Sequence, residues 1–91
     1  MELFRQAANT DGDYVLFRKV SNKAEIHYQV SIYNNRTAHS LLAYHKTIAV
    51  GAIGREHIER LAVEEAITTF EEACDFMGIE MEDEDDDKES T

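Results

Sequence analysis

Residues 25–32, Glu-Ile-His-Tyr-Gln-Val-Ser-Ile, alternate polar and apolar side chains without a break. Successive side chains on a strand point to opposite faces, so this segment dictates a half-buried β-strand. Ile26, Tyr28, Val30 and Ile32 share the core face, while Glu25, His27, Gln29 and Ser31 share the wet one. Such a strand needs neighbours for its backbone groups and a second layer over its apolar face. The rest of the chain must supply both.

Neighbours are legible on either side. Tyr-Val-Leu-Phe-Arg-Lys-Val at 14–20 is rich in aromatic and β-branched residues and predicts a strand. Thr37–Val50 predicts another, with Leu42, Tyr44, Ile48 and Val50 in one parity, although Ser40–Tyr44 also suits a helical start. Turn signals stand at Thr10-Asp11-Gly12-Asp13, Ser21-Asn22-Lys23 and Asn34-Asn35-Arg36. A three-residue turn at 34–36 would set Ile26 opposite Tyr44 and Tyr28 opposite Leu42. Residues 2–9 read as a short helix or an edge segment, with Glu2–Ala8 favouring helix.

The covering layer is the long segment Arg55–Met77. At about 100° per residue, Ala62, Val63, Ala66, Ile67, Phe70, Ala73, Cys74 and Met77 fall on one side. Gly51 and Gly54 close the sheet portion, and Gly78 is a natural stop for the helix. From Glu80 the chain is almost wholly acidic, and its composition predicts disorder. The expected fold is α+β, a three-stranded antiparallel sheet packed on one C-terminal helix, with a domain at 1–79 and an acidic tail at 80–91. The α-β-β-β-α order is similar to that of a double-stranded-RNA-binding domain in topology alone. The basic residues that such a domain uses at its last helix are missing, since Arg55 stands among Glu56, Glu59, Glu64 and Glu65.

Charge narrows the function. The 91 residues carry a net charge of −10. Residues 1–54 hold six basic and four acidic side chains, whereas 55–91 hold three and fifteen. An acidity concentrated on one helix and a tail argues against direct binding of nucleic acid or anionic lipid. No apolar run reaches the ~18 residues of a membrane span, and Met1–Gln6 resembles no secretory leader. The lone Cys74 fits a reducing compartment, so a cytoplasmic protein is expected.

Catalytic motifs are wanting. Cys74 lies in the apolar stripe between Phe70 and Met77, a core position rather than a nucleophile's. His39 and His45 stand about 20 Å apart along an extended strand, too far to share an ion, so no metal or other cofactor is expected. The Asp11-Gly12-Asp13 turn fails the calcium-loop pattern, because Ala7 and Arg18 fall where ligands are required. Neither phosphate loop nor nucleophile elbow is present, and an enzyme is not expected.

Two surfaces remain. Glu64, Glu71 and Asp75 align at spacings of seven and four, flanked by Glu65 and Glu72, with Leu61 among them. The plain reading is a solvated helix face. The functional one is a contact for the basic surface of a protein partner, as phage anti-restriction and anti-CRISPR inhibitors use carboxylates in place of phosphates. The second surface is the open sheet face, assigned His27, Gln29, Tyr33, His39, Leu41 and His45, which suits a homodimeric or adaptor module.

Overall fold

The computed structural model describes residues 2–79. Its strands are β1 (Glu2–Ala8), β2 (Tyr14–Ser21), β3 (Glu25–Asn34) and β4 (His39–Ala49), followed by helix α1 (Arg55–Met77). They form one antiparallel meander in the order β1-β2-β3-β4, with α1 packed across a single face. The α+β class and the C-terminal helix are as the sequence implied. The sheet has four strands rather than three, and the expected acidic tail lies outside the described residues.

The added strand is Glu2–Ala8, for which helix was favoured. Its weak helical preference yields to the free edge of β2, where Ala7 pairs with Val15 and Gln6 with Leu16. A register shift between Leu3 and Arg5 turns both Phe4 and Arg5 toward the helix. Phe4 meets the ring of Phe17 edge-on at 5.0 Å, and Arg5 lies over Phe70 at 5.7 Å. With a strand in first place, the topological likeness to a double-stranded-RNA-binding domain lapses.

The β1–β2 turn is tied to the β3–β4 turn. Asn9 Oδ1 accepts from the backbone N–H of Asp11 (2.9 Å) and Asp13 (3.1 Å). Asp13 Oδ1 accepts from the Asn35 N–H at 2.8 Å, and Asn35 Nδ2 donates to the Asp11 carbonyl at 3.0 Å. Gly12 sits between them at φ +92°, where an added Cβ would lie 2.9 Å from Asn35 Cγ. Gly12→Ala therefore combines a disfavoured backbone with a clash and should cost about 1–3 kcal/mol in urea unfolding. Gly51→Ala, which has open space at its Cβ, serves as the control.

The pairing of β3 with β4 differs from expectation. Ile26 faces Ile48 and Val30 faces Tyr44, a slide of four residues, three from a connection running through Ala38 and one from an extra residue within β4. That slide is even, so Tyr44 and Ile48 keep their inward parity. Between Val30 and Ser31 the register then shifts, with Ala43 as the extra residue. Beyond it the parity inverts: Leu42 faces Ser31 on the open side, and Leu41 faces Ile32 on the helix side.

The core follows the two periodicities. Val15, Phe17, Ile26, Tyr28, Val30 and Ile48 from the sheet meet Ala62, Ala66, Phe70, Ala73 and Cys74 from α1. The three alanines let the helix approach closely, and Phe70 supplies the bulk. Gly78 ends α1 at φ +71°, donating to the Asp75 carbonyl, while the Ile79 N–H bonds to the Cys74 carbonyl at 2.8 Å. This is a Schellman stop, and it delivers Ile79 into the core at 4 % exposure.

Candidate functional site

The outward side of α1 carries two parallel lines of residues. Glu64, Glu71 and Asp75 make one, and Leu61, Glu65, Glu72 and Phe76 make the other, at spacings of four, seven and four. All seven are exposed. The second line runs about 22 Å along the helix and has an apolar residue at each end. Phe76 is 85 % exposed and Leu61 45 %. The six residues expected to form this surface do lie together on it, and Phe76 joins them.

Two of the five carboxylates are engaged inside the molecule. Tyr44 Oη donates to Glu65 Oε1 at 2.8 Å, across the gap between β4 and α1. Burial first, then the bond and charge of Glu65, push the Tyr44 hydroxyl up to about 12, so it remains a donor. Arg5 approaches Glu71 at 3.9 Å. Among the described residues, Glu64, Glu72 and Asp75 have no ion pair. Residues 61–77 contain five acids and no Lys or Arg, and no basic residue stands in the last turn of the helix. Carboxylates near a helix C-terminus oppose its dipole, and carboxylates four residues apart repel. The sequence therefore keeps this face at some expense to the helix.

The open side of the sheet is divided. At one end Tyr14 and Tyr33 stack at 4.9 Å, next to Leu16 and the half-exposed Leu42. Toward the other end lie Gln29, His45, His27 and Thr47, with Arg18 from β2. Of the six residues assigned to this face, His27, Gln29, Tyr33 and His45 are on it. His39 and Leu41 are not: the bulge at Ala43 places them opposite Asn34 and Ile32, and Ser40 and Leu42 take their places.

His27 and His45, both assigned to this face, meet there in a polar cluster with Glu25 and Thr47. His27 Nδ1 and His45 Nε2 lie 2.9 Å apart, and Glu25 Oε1 reaches His27 Nε2 at 3.2 Å. Thr47 Oγ1 is 3.2 Å from His27 Nδ1 and 3.4 Å from His45 Nε2. The alternation of β3 already set Glu25 and His27 on one face, but joining them to His45 and Thr47 required the true register.

Cys74 is buried at 2 % exposure in the core. Burial, then the charges of Asp75 and Glu71, raise its thiol against the opposing pull of Arg5. A thiol held protonated and covered is a packing group. Among the described residues no three His, Cys, Asp or Glu side chains converge on one point, and no helix is long and apolar enough to cross a membrane. Compared with protein-family models, curated proteins and solved structures, the chain matches none.

Proposed function

We propose that this protein is a non-enzymatic binding module whose outer helix face docks on the basic surface of a protein partner. The observation that carries the reading is the pairing of unneutralised carboxylates with exposed apolar groups. Glu64, Glu72 and Asp75 have no cation among the described residues, and Leu61 and Phe76 bracket them. Phe76 is 85 % exposed and Leu61 45 %, so the acidic stretch ends on an accessible apolar group at either side. Carboxylates on one helix face attract Lys and Arg, and the apolar ends supply the desolvated contacts that turn attraction into affinity. A partner whose basic surface binds nucleic acid fits best, with the carboxylates in place of phosphates and the module acting as an inhibitor. The test is capture of partners from the source cell by the wild-type chain and by its Glu64→Lys, Glu72→Lys, Asp75→Lys variant. Basic partners should bind the first and not the second.

A second reading has its own observation. The Tyr14–Tyr33 stack, with Leu16 and Leu42 beside it, is an aromatic and apolar patch on the sheet face turned away from α1. A homodimer through this patch should show twice the chain mass in light scattering. Tyr33→Glu with Leu42→Glu should return it to the monomer, and a wild-type monomer at high concentration excludes the reading.

A further inference from the structure

We infer that β4 pairs edge to edge with the β4 of a second copy through His39–Leu42, joining two sheets into one of eight strands. β4 is the last strand in the order β1-β2-β3-β4, so it is paired on the β3 side alone. Its outward N–H and C=O groups are a template for another strand. The extra residue at Ala43 breaks β4 into two straight pieces. The piece from Tyr44 to Ala49 is guarded: Lys46 stands on it, Ile48 is buried, and Glu65 of α1 holds the Tyr44 hydroxyl. The piece from His39 to Leu42 has no such protection. Every residue of it is exposed, and no Asp, Glu, Lys or Arg occurs between His39 and His45. A charge, above all a Lys, is the common device that keeps an edge from pairing. β1, the opposite edge, carries Glu2 and Arg5 and a register break between Leu3 and Arg5.

The side chains say what fits there. Leu41 is 62 % exposed on the helix side of the sheet, beyond the reach of α1, and Leu42 is 50 % exposed on the open side. A helix or loop laid on either face would cover one leucine and leave the other in water. A strand added at the edge sets side chains beside both. The same piece of a second copy suits this edge in symmetry and in charge. A two-fold axis through Leu41, perpendicular to the sheet, makes the piece its own complement. It sets Leu41 opposite Leu41 and Ser40 opposite Leu42, and it makes the two Leu42 side chains diagonal neighbours. Two chains of net charge −10 repel over most of their surface, and this contact brings no charge against its like. The rotation leaves both α1 helices on one face of the joined sheet, so the dimer presents two acidic faces in one direction. The pairing does not depend on what those faces bind. It also leaves Tyr14 uncovered, unlike a dimer formed through the aromatic patch.

Sedimentation of the full chain should show its mass rising from one chain to two with concentration. Leu41→Lys sets a charge opposite its own copy and should weaken the dimer about tenfold or more, with the fold checked by circular dichroism. Tyr14→Glu, in the aromatic patch two strands from the edge, should leave the dimer unchanged. Salt gives an independent sign. The screening length falls from about 30 Å at 0.01 M to about 10 Å at 0.1 M, so repulsion between the chains is relieved and the dimer should strengthen. Leu41→Cys tests the register. Opposed Cα atoms of an antiparallel pair lie about 4.5–5.5 Å apart, within the reach of a disulfide. Under mild oxidation this variant should link two chains about tenfold faster, or more, than Phe76→Cys, because pairing raises the effective thiol concentration. The native Cys74 is buried and stays out of the reaction. A wild type that stays monomeric at millimolar concentration, a dimer untouched by Leu41→Lys, a dimer lost in Tyr14→Glu, or cross-linking of Leu41→Cys no faster than that of Phe76→Cys would overturn the pairing.

Discussion

Phe70→Ala should lower the stability of this protein by about 3–5 kcal/mol, the largest loss expected from any single truncation in α1. The helix buries Ala62, Ala66, Phe70, Ala73 and Cys74, and only Phe70 among them is large. Its ring is 1 % exposed and forms the bulk of the contact between layers. Three alanines let the backbone come close, so the surrounding elements have little freedom to collapse into the space left behind. A chain of 91 residues has about 5–12 kcal/mol in all, and the variant approaches the edge of folding at ambient temperature. Each kcal/mol is about 4–8 °C in Tm for a domain of this size, so melting should fall by at least about 12 °C. Phe76→Ala makes the comparison internal to the helix: the same deletion six positions on, at 85 % exposure, should leave Tm almost unmoved. A Phe70→Ala loss below about 1 kcal/mol would mean that α1 does not rest on the sheet through this side chain.

That contrast marks what the sequence could disclose. Phe70 and Phe76 are the same residue, and the helical period alone separated the buried one from the one at the rim. The alternation at 25–32 and the Gly78 stop were legible for the same reason, since each depends on a few adjacent residues and one repeating angle. Glu2–Ala8 was not, because its state is decided by the edge of β2 and by Phe17 and Phe70, contacts far away in the chain. The hairpin signal at Thr10–Asp13 did point that way, for a tight turn before a strand implies a strand ahead of it. The register of β4 hung on the length of one turn and a single extra residue at Ala43. Neither leaves a periodic trace, and the odd offset they leave between the turn and Ala43 moved His39 and Leu41 off the open face. The acidic face of α1 was readable as a face. Its internal ties, Glu65 to Tyr44 and Glu71 to Arg5, cross between layers and became visible only once the layers were assembled.

Those ties decide how the acidic face is to be tested. Reversing Glu65 or Glu71 would remove the acceptor of the Tyr44 hydroxyl or the partner of Arg5, and a lost complex would then have two explanations. Glu64, Glu72 and Asp75 carry no such burden, so Glu64→Lys, Glu72→Lys and Asp75→Lys together change the charge of the face by six units and leave the packing alone. Each substitution exchanges an attraction for a repulsion, and three at once should weaken a complex with a basic partner on the order of 100-fold or more. The helix itself should gain slightly, because cations near its C-terminus suit the dipole and the repulsion between carboxylates is relieved. Binding lost alongside an unchanged or raised Tm is therefore the expected signature, and it separates loss of a surface from loss of a fold. Salt should mimic the variant in the wild type. The screening length shrinks from about 10 Å at 0.1 M to about 3 Å at 1 M, so affinity should fall steeply over that range. Phe76→Ala should do the reverse, weakening the complex by a factor that salt hardly alters, because its contribution is desolvation rather than charge. A complex that survives both 1 M salt and the triple reversal would place the docking surface elsewhere, and the aromatic patch of Tyr14 and Tyr33 would be the next to examine.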